Sequence, residues 1–152
     1  MPLIGAVISN DDKLKEIALS DNLNTSNQAL DKINDEDLLF NIAINSDNHG
    51  IRVNSVNKIK NRDLHEKIIL NSDFDDIIIE SIPKVSNEVL LCDLALNKDK
   101  YSSKIRETAC KHIFNRKVLD EISTNDDDKY VRNVAIKRLK LLNKSNIKIN
   151  RK

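Results

Sequence analysis

The chain has 152 residues, of which 32% are charged and 3% are aromatic, and it contains only two glycines and two prolines. So few turn-forming residues argue against an all-β fold and favour helices. The formal net charge of +1 argues against a protein whose whole surface binds a polyanion.

The charge is nevertheless unevenly distributed along the chain. Residues 1–50 carry a net charge of −6, residues 51–100 carry −1 and residues 101–152 carry +8. Such an asymmetry can steer a partner or promote head-to-tail contacts. The simpler interpretation is that these charges only solvate the surface.

The N-terminal segment MPLIGAVISN has neither the basic region nor the apolar length of a signal peptide. No later stretch approaches the roughly 20 apolar residues that cross a bilayer. Cys92 and Cys110 are not spaced as a metal or redox motif. These features predict a cytoplasmic, reduced protein that does not associate with membranes.

From residue 12 onward, a two-part pattern is repeated five times with a period of 25–28 residues. Its first phrase, as in LFNIAINSD, has apolar residues at i, i+3 and i+4. Its second phrase, as in IRVNSVNKI, has apolar residues at i, i+5 and i+8 and a small residue at i+4. Each spacing forms one stripe of a helix. The copies cover about residues 12–35, 36–62, 63–87, 88–115 and 116–142.

The second phrases predict where the core lies. The position after the small residue is held in successive copies by Leu30, Val56, Ile82, Cys110 and Ile136. The first copy places Thr25 at the start of its stripe, and the third copy places His65 in an apolar position of its first phrase. His65 also lies near a turn, so we expect a surface or half-buried side chain rather than a metal ligand. Ile8 lies one period before Ile33, which predicts the remnant of a further helix at the N-terminal end.

The segments between the phrases, such as NSDNHG and TNDDDK, are rich in side chains that cap helix N-termini. Helices of two or three turns are unstable alone in water, so the copies must stack on one another. The pattern therefore predicts an all-α fold: one α-α superhelix (solenoid) domain over residues 1–144, with about five two-helix repeats. Residues 145–152 are predicted to be a basic, disordered tail because they cannot bury enough apolar area.

The third copy departs from the pattern. Ile77, Ile78 and Ile79 are consecutive and cannot all face one core, and Ile78 stands where other copies have arginine. Pro83 lies inside the helical pattern, where it forces a kink or a break. The irregularity predicts either local overpacking or a surface patch for a partner, formed by Phe74, Ile78 and Ile79.

The phrases VRNVAIKRL, IRVNSVNKI and LLCDLALNKD resemble HEAT-like repeats of the short bacterial and archaeal kind. The leucine-rich-repeat variant, which has helical repeats of similar length, is a neighbouring possibility. The resemblance covers roughly residues 12–142. It implies an α-solenoid, and usually an interaction scaffold rather than an enzyme.

Three copies have an arginine five to seven residues after a turn aspartate, namely Asp47 and Arg52, Asp99 and Arg106, and Asp127 and Arg132. Each arginine can reach the turn aspartate of its own or of the adjacent repeat and bond it in fork geometry. The resemblance implies such an Asp/Arg ladder as a structural device. We therefore expect these arginines to be mostly buried and bonded to turn carboxylates or carbonyls. The alternative is a row of unpaired arginines that binds a ligand.

A second column of cationic or titratable residues occupies one position near the end of each second phrase: Lys32, Lys58, Lys84, His112 and Arg138. Stacked repeats would align them as a basic ridge able to follow phosphates. A row of solvated lysines is the simpler alternative.

The sequence contains no Gly-rich phosphate loop, no His pair at metal spacing and no Cys-His constellation, so we expect no catalytic site, metal or cofactor. The leading prediction is a non-catalytic module that binds or scaffolds a protein partner. Nucleic-acid binding along the ridge and the C-terminal tail is the alternative. A third possibility is an enzyme or enzyme accessory, as in the phycobilisome-lyase type of HEAT-like repeat.

Overall fold

The computed structural model describes residues 9–150, and side chains over residues 9–145. This part of the chain is helical and contains no β-strand, which confirms the predicted all-α class. Its elements are a 3-10 helix over Ile82–Lys84 and ten α-helices: α1 (Asn10–Ala18), α2 (Leu23–Asp31), α3 (Glu36–Asn45), α4 (His49–Lys58), α5 (Arg62–Asn71), α6 (Asp75–Ser81), α7 (Glu88–Leu96), α8 (Ser103–Cys110), α9 (Arg116–Asn125) and α10 (Lys129–Asn150).

The chain divides into two compact units, Met1–Lys84 and Val85–Lys152. In the first unit α1 packs on α2, α3 on α4 and α5 on α6, and the odd-numbered and even-numbered helices also contact their own kind in chain order. In the second unit α7 packs on α8 and α9 on α10, with further contacts between α7 and α9 and between α8 and α10. Each unit is thus a two-layer packing of helix pairs, and the single solenoid domain stays a prediction. The helix predicted around Ile8 lies outside the described residues.

Polar side chains cap the short helices, as the turn composition predicts. At α4, for example, the Asn48 side-chain oxygen accepts from the backbone N–H of Ile51 at 3.1 Å. Each such cap contributes about 1 kcal/mol to helix stability. Helix α6 has Phe74 at its cap position and no capping hydrogen bond from a side chain. The capping residues of the others up to α9 are Ser9, Asn22, Asp35, Asn48, Asn61, Asn87, Ser102 and Asn115.

The position that follows the small residue of each second phrase is predicted to lie in the core. Four of its five residues are buried: Leu30, Val56, Ile82 and Cys110. Ile136 is the exception, because it is 39% exposed on the last helix and the described chain has no later helix to cover it. Thr25 is also exposed, and the buried residue at the start of the α2 stripe is its neighbour Ser26. The Ser26 hydroxyl lies within 3.1 Å of the carbonyl oxygens of Ile17 and Ser20, so polar burial is satisfied there.

His65 is a core residue of the first unit, not the surface or half-buried residue that its position near a turn suggests. It is 1% exposed, with Nε2 at 2.9 Å from the Ile59 carbonyl and Nδ1 at 3.1 Å from the Ser81 hydroxyl. A carbonyl only accepts, so Nε2 carries the proton and Nδ1 accepts from Ser81. Burial lowers the pKa of the His65 imidazole, because the charged form loses its hydration.

This lowered pKa makes stability depend on pH. The folded chain resists protonation of His65 and the unfolded chain does not, so its stabilising effect is present above the unfolded pKa of 6.5 and is lost as pH falls below it. We expect the urea midpoint, followed by circular dichroism, to fall between about pH 7.5 and pH 5.5. His65→Leu should remove part of this fall, at a cost of about 1 kcal/mol at neutral pH for the lost hydrogen bonds.

The control for this measurement is His112→Asn. Burial also lowers the pKa of the His112 imidazole, so this side chain likewise makes the folded chain less stable as pH falls. His112 is half-buried, so its replacement should change the fall in the urea midpoint less than His65→Leu does. An identical pH dependence in the wild type and in His65→Leu would contradict the assignment.

The irregular third copy has its break where Pro83 predicts one. Helix α6 ends at Ser81, and Pro83 sits in the 3-10 helix that follows. The predicted partner patch is wrong, because Ile78 is only 3% exposed and packs in the core. Phe74 and Ile79 are half-buried.

Helix α10 continues to Asn150, six residues beyond Lys144. The predicted disordered tail is therefore wrong for residues 145–150, whose backbone is helical, and residues 151–152 lie outside the described chain. The physical reason is that this stretch contains no glycine or proline, and each added residue of an existing helix gains a hydrogen bond without the cost of a new nucleus.

Candidate functional site

Arg52 is a buried structural residue of the first unit. It is 9% exposed, and its Nε lies 3.0 and 3.2 Å from the two carboxylate oxygens of Asp76, while Nη2 donates to Oδ2 at 2.7 Å. Its Nη1 donates to the Ser46 carbonyl at 3.0 Å. The Phe74 ring packs against the guanidinium, with its centroid 4.0 Å from Cζ. Every nitrogen of this side chain is thus engaged.

Arg106 has the same role in the second unit. Its Nε and Nη2 donate to the two oxygens of Asp126 at 2.9 and 3.0 Å, and its Nη1 donates to the Tyr101 carbonyl at 2.8 Å. Arg132 is half-buried and donates from Nη1 to the Asp126 carbonyl at 2.6 Å. The prediction that these arginines bond to turn groups is confirmed, and a ligand-binding row of arginines is wrong for Arg52 and Arg106.

The predicted aspartate partners are wrong. Asp47, Asp99 and Asp127 are all exposed, and Asp127 pairs with Lys98 at 3.1 Å. The carboxylates that Arg52 and Arg106 bind lie 24 and 20 residues after them, in the next copy of the pattern. Each turn leaves its own aspartate exposed, whereas packing of the next helix pair brings Asp76 or Asp126 within reach. One clue was available, since Asp126 replaces a serine found at that turn position in earlier copies, as at Ser46.

Both carboxylates are held ionised. Burial alone would raise the pKa of Asp76, but hydrogen bonds from Arg52, His49 and a backbone N–H outweigh it and lower that pKa. The pKa of Asp126 is likewise lowered, with Arg106 and the Asp128 N–H overcoming the effect of burial. Because the unfolded value is 3.8, both pairs stabilise the folded chain at neutral pH and lose that effect only as pH falls below it.

The predicted basic ridge divides into residues with different environments. Lys32 and Lys84 are exposed. Lys58 is half-buried, and its Nζ donates to the Leu30 carbonyl at 2.8 Å, next to the C-terminal end of α2. Burial, with the neighbouring charges of Arg138 and Lys111, lowers the pKa of His112, so this member is neutral at pH 7. The continuous ridge stays a prediction.

A groove in the second unit, between α8 and α10, is lined by three cations and one carboxylate. Its lining residues on α10 are Val134, Lys137, Arg138 and Leu141, which fall at i, i+3, i+4 and i+7 on one helix face. Glu107 and Lys111 line the opposite side. The groove encloses about 350 Å³, at the small end for a ligand site, so it has room for a few side chains.

Arg138 is oriented within this groove by two contacts. Its Nε donates to the Ile113 carbonyl at 2.9 Å, and its Cζ lies 4.7 Å from the centroid of the Phe114 ring. Phe114 is 66% exposed, so the stacked pair is open to solvent on one side. These contacts hold the guanidinium plane in place and leave Nη1 and Nη2 without a hydrogen-bond partner among the described residues. Of the five column residues, Arg138 is the one that the structure places in this groove.

Other chemistries find little support in the described part of the chain. No group of three or more His, Cys, Asp or Glu side chains there is placed to hold a metal ion. Burial raises the pKa of Cys110 to about 12 and also raises that of Cys92, so neither thiol is an activated nucleophile. No helix among the described residues has both the length and the apolarity to span a bilayer.

Comparisons of the chain with protein-family models, with curated proteins and with solved structures give no match. The HEAT-like resemblance therefore rests on the quoted phrases, and it stays a prediction. What the molecule does must be inferred from its described surface, where the α8/α10 groove combines exposed apolar side chains with oriented cations.

Proposed function

We propose that this chain is a non-catalytic protein-interaction module built from HEAT-like helical repeats, with the α8/α10 groove as a binding surface for a protein segment. The observation that carries the proposal is the groove itself. Leu141 is 57% exposed there, and with half-buried Val134 it leaves apolar surface open between three cations. Exposed apolar surface rimmed by charge marks interaction sites.

Recurring contacts support the repeat interpretation. Glu36, at the start of α3, accepts from the backbone N–H groups of Lys60 and Asn61 at 3.1 and 2.9 Å. Glu88, at the start of α7, accepts from the N–H groups of Phe114 and Asn115, both at 2.8 Å. The two glutamates open the second and fourth copies, and each bonds to the end of its own copy, directly before the first helix of the next copy. The same contact in two copies is what a repeated structural unit produces.

The spacing within the groove favours a helical protein segment. Its α10 wall presents a row of side chains about two turns long, and in helix-in-groove recognition an amphipathic helix lays its apolar face along such a groove. The two cysteines are free, which fits the cytoplasmic location that we propose for the module.

Nucleic-acid binding is the second candidate, and one observation favours it. The 22 residues of α10 contain seven lysines and arginines and no acidic residue. Against it, a sequence-independent nucleic-acid surface uses several stacked aromatics, whereas the groove has Phe114 beside it, already stacked on Arg138. Retardation of duplex DNA or RNA by the chain at low salt would favour this candidate.

The proposed function is tested by selecting binders from a display library of helical peptides on the whole chain. Selected peptides are expected to bind Leu141→Asn at least about tenfold more weakly than the wild type, because a truncated apolar anchor at an interface costs more than 1.4 kcal/mol. Tyr130→Asn is the matched control, since Tyr130 is an exposed residue of α10 outside the groove lining.

Peptides that bind the wild type and Leu141→Asn equally well would show that the groove is not the binding surface. A library that yields no binder, together with retardation of duplex nucleic acid, would replace this proposal by the second candidate.

A further inference from the structure

Lys58 and Arg138 occupy the same position of the pattern but differ in how many N–H donors remain available to a ligand. The single ammonium of Lys58 donates to the Leu30 carbonyl. Arg138 likewise donates to a backbone carbonyl of the preceding copy, that of Ile113, but through Nε alone. A guanidinium carries five N–H donors, so Arg138 completes this structural contact and still presents both terminal nitrogens as a fork. Arg52 and Arg106, by contrast, use all their nitrogens internally.

We propose that the α8/α10 groove takes an acidic amphipathic helix of a protein partner, one carboxylate of which binds bidentately to the Arg138 fork. This inference rests on the proposed function and specifies the chemistry of the partner. A planar carboxylate matches the two parallel N–H donors of the fork, and the Phe114 stack and the Ile113 contact remove much of the ordering cost.

The charges around the fork favour an anion. Lys111 and Lys137 line the groove beside Arg138, and Glu107 is its one acidic lining residue. Glu107 lies 3.6 Å from Lys104 and 3.5 Å from Lys111, so two lysines already offset its charge. The basic C-terminal third of the chain, with its net charge of +8, adds a long-range field that attracts acidic segments.

The apolar residues set the shape of the occupant. Val134 and Leu141 lie two turns apart on α10, with Lys137 and Arg138 between them. A partner helix with apolar side chains two turns apart and acidic residues between them would place apolar groups on Val134 and Leu141 and a carboxylate on the fork. A phosphate backbone would satisfy the cations but leave both apolar side chains uncovered.

The test uses the whole chain and a labelled helical peptide of about 16 residues, or roughly 24 Å of helix, with leucines two turns apart and glutamates between them. Fluorescence anisotropy is expected to show binding that weakens at least about tenfold when the glutamates are replaced by glutamines. Arg138→Lys should cause a loss of similar size, because lysine keeps the charge and can make the carbonyl contact, as Lys58 does, but has no fork.

Lys137→Gln and Lys140→Gln form the matched pair. Both remove one positive charge from α10, but Lys140 does not line the groove. Lys137→Gln should weaken peptide binding about threefold and Lys140→Gln less than about twofold, because an exposed charge acts mainly through the screened field. Circular dichroism confirms that each variant is folded.

Equal affinity for the glutamate and glutamine peptides, or wild-type affinity of Arg138→Lys, would overturn the inference. If display-selected peptides bind the groove but carry no acidic residues, this inference fails and the proposed function stands. If neither the glutamate peptide nor any selected peptide binds, both fail. Retardation of duplex DNA that Arg138→Lys leaves unchanged, without peptide binding, would assign the cations to nucleic acid.

Discussion

Replacing Arg106 by methionine is expected to lower the free energy of unfolding of the second unit by about 3–5 kcal/mol. The Asp126 side chain is 3% exposed and would keep a carboxylate in the interior without its counterion. The Tyr101 carbonyl would also lose its donor. Methionine has nearly the length of the arginine stem, so lost packing contributes little and the unpaired charge dominates. Urea unfolding followed by circular dichroism measures the change.

Two aspartate variants separate the observed partner of Arg106 from the neighbouring turn aspartate Asp127, which the sequence pairs with Arg132. Asp126→Asn removes the charge that Arg106 binds and should cost about 3 kcal/mol or more. Asp127→Asn should cost less than about 0.5 kcal/mol, because Asp127 is 80% exposed in its pair with Lys98. Adding Arg106→Met to Asp126→Asn should cost much less than Arg106→Met alone, since the buried charge is then already absent. Equal effects of the two aspartate variants would contradict the geometry.

Ile78→Asp is expected to destabilise the first unit by more than about 3 kcal/mol. The isoleucine is 3% exposed in the core, and an aspartate there is too short to reach solvent. Helix α6 has seven residues and no side-chain cap, so it has little stability of its own with which to absorb the change. Thermal and urea unfolding, followed by circular dichroism, measure the loss.

Ile79→Asp is the neighbouring control, because Ile79 is half-buried and its carboxylate can stay hydrated. Ile79→Asp should lower the free energy of unfolding clearly less than Ile78→Asp does. Were Ile78 part of a partner patch, its replacement would leave unfolding unchanged and alter association instead. Size-exclusion chromatography of both variants distinguishes these outcomes.

Much of the fold follows from local rules that a sequence exposes directly. The helical class, the capping residues and the break at Pro83 each depend on a few neighbouring residues, through periodicity, a side-chain acceptor or a missing N–H. The burial of Leu30, Val56, Ile82 and Cys110 follows from the same stripe. The predicted burial of Ile136 and Thr25 is wrong because exposure also depends on whether another helix covers the residue. The spacing of apolar residues within one helix does not contain that information.

The candidate site was predicted in part. Aligning the copies placed Arg138 in a column with Lys58, but the alignment treats them as equal cations. The structure distinguishes Arg138 from Lys58 by the acceptors that their N–H groups bind and by the apolar residues that lie beside them. Phe114 and Leu141 were missed because each follows or precedes the repeated phrases and belongs to no stripe. The signal that could have found Leu141 is its helical spacing with Val134, Lys137 and Arg138.

The amino-acid sequence by itself determined that the chain is helical, where most helices begin, and that Arg52 and Arg106 are buried rather than free. These features depend on short-range hydrogen bonding and on the need to bury one face of each short helix. Only the tertiary structure decided that Asp76 and Asp126 are the partners, that His65 belongs to the core, and that Arg138 keeps an open fork. Such pairings join residues some 16 to 25 positions apart or depend on an uncovered surface, and both are set by how whole helices pack.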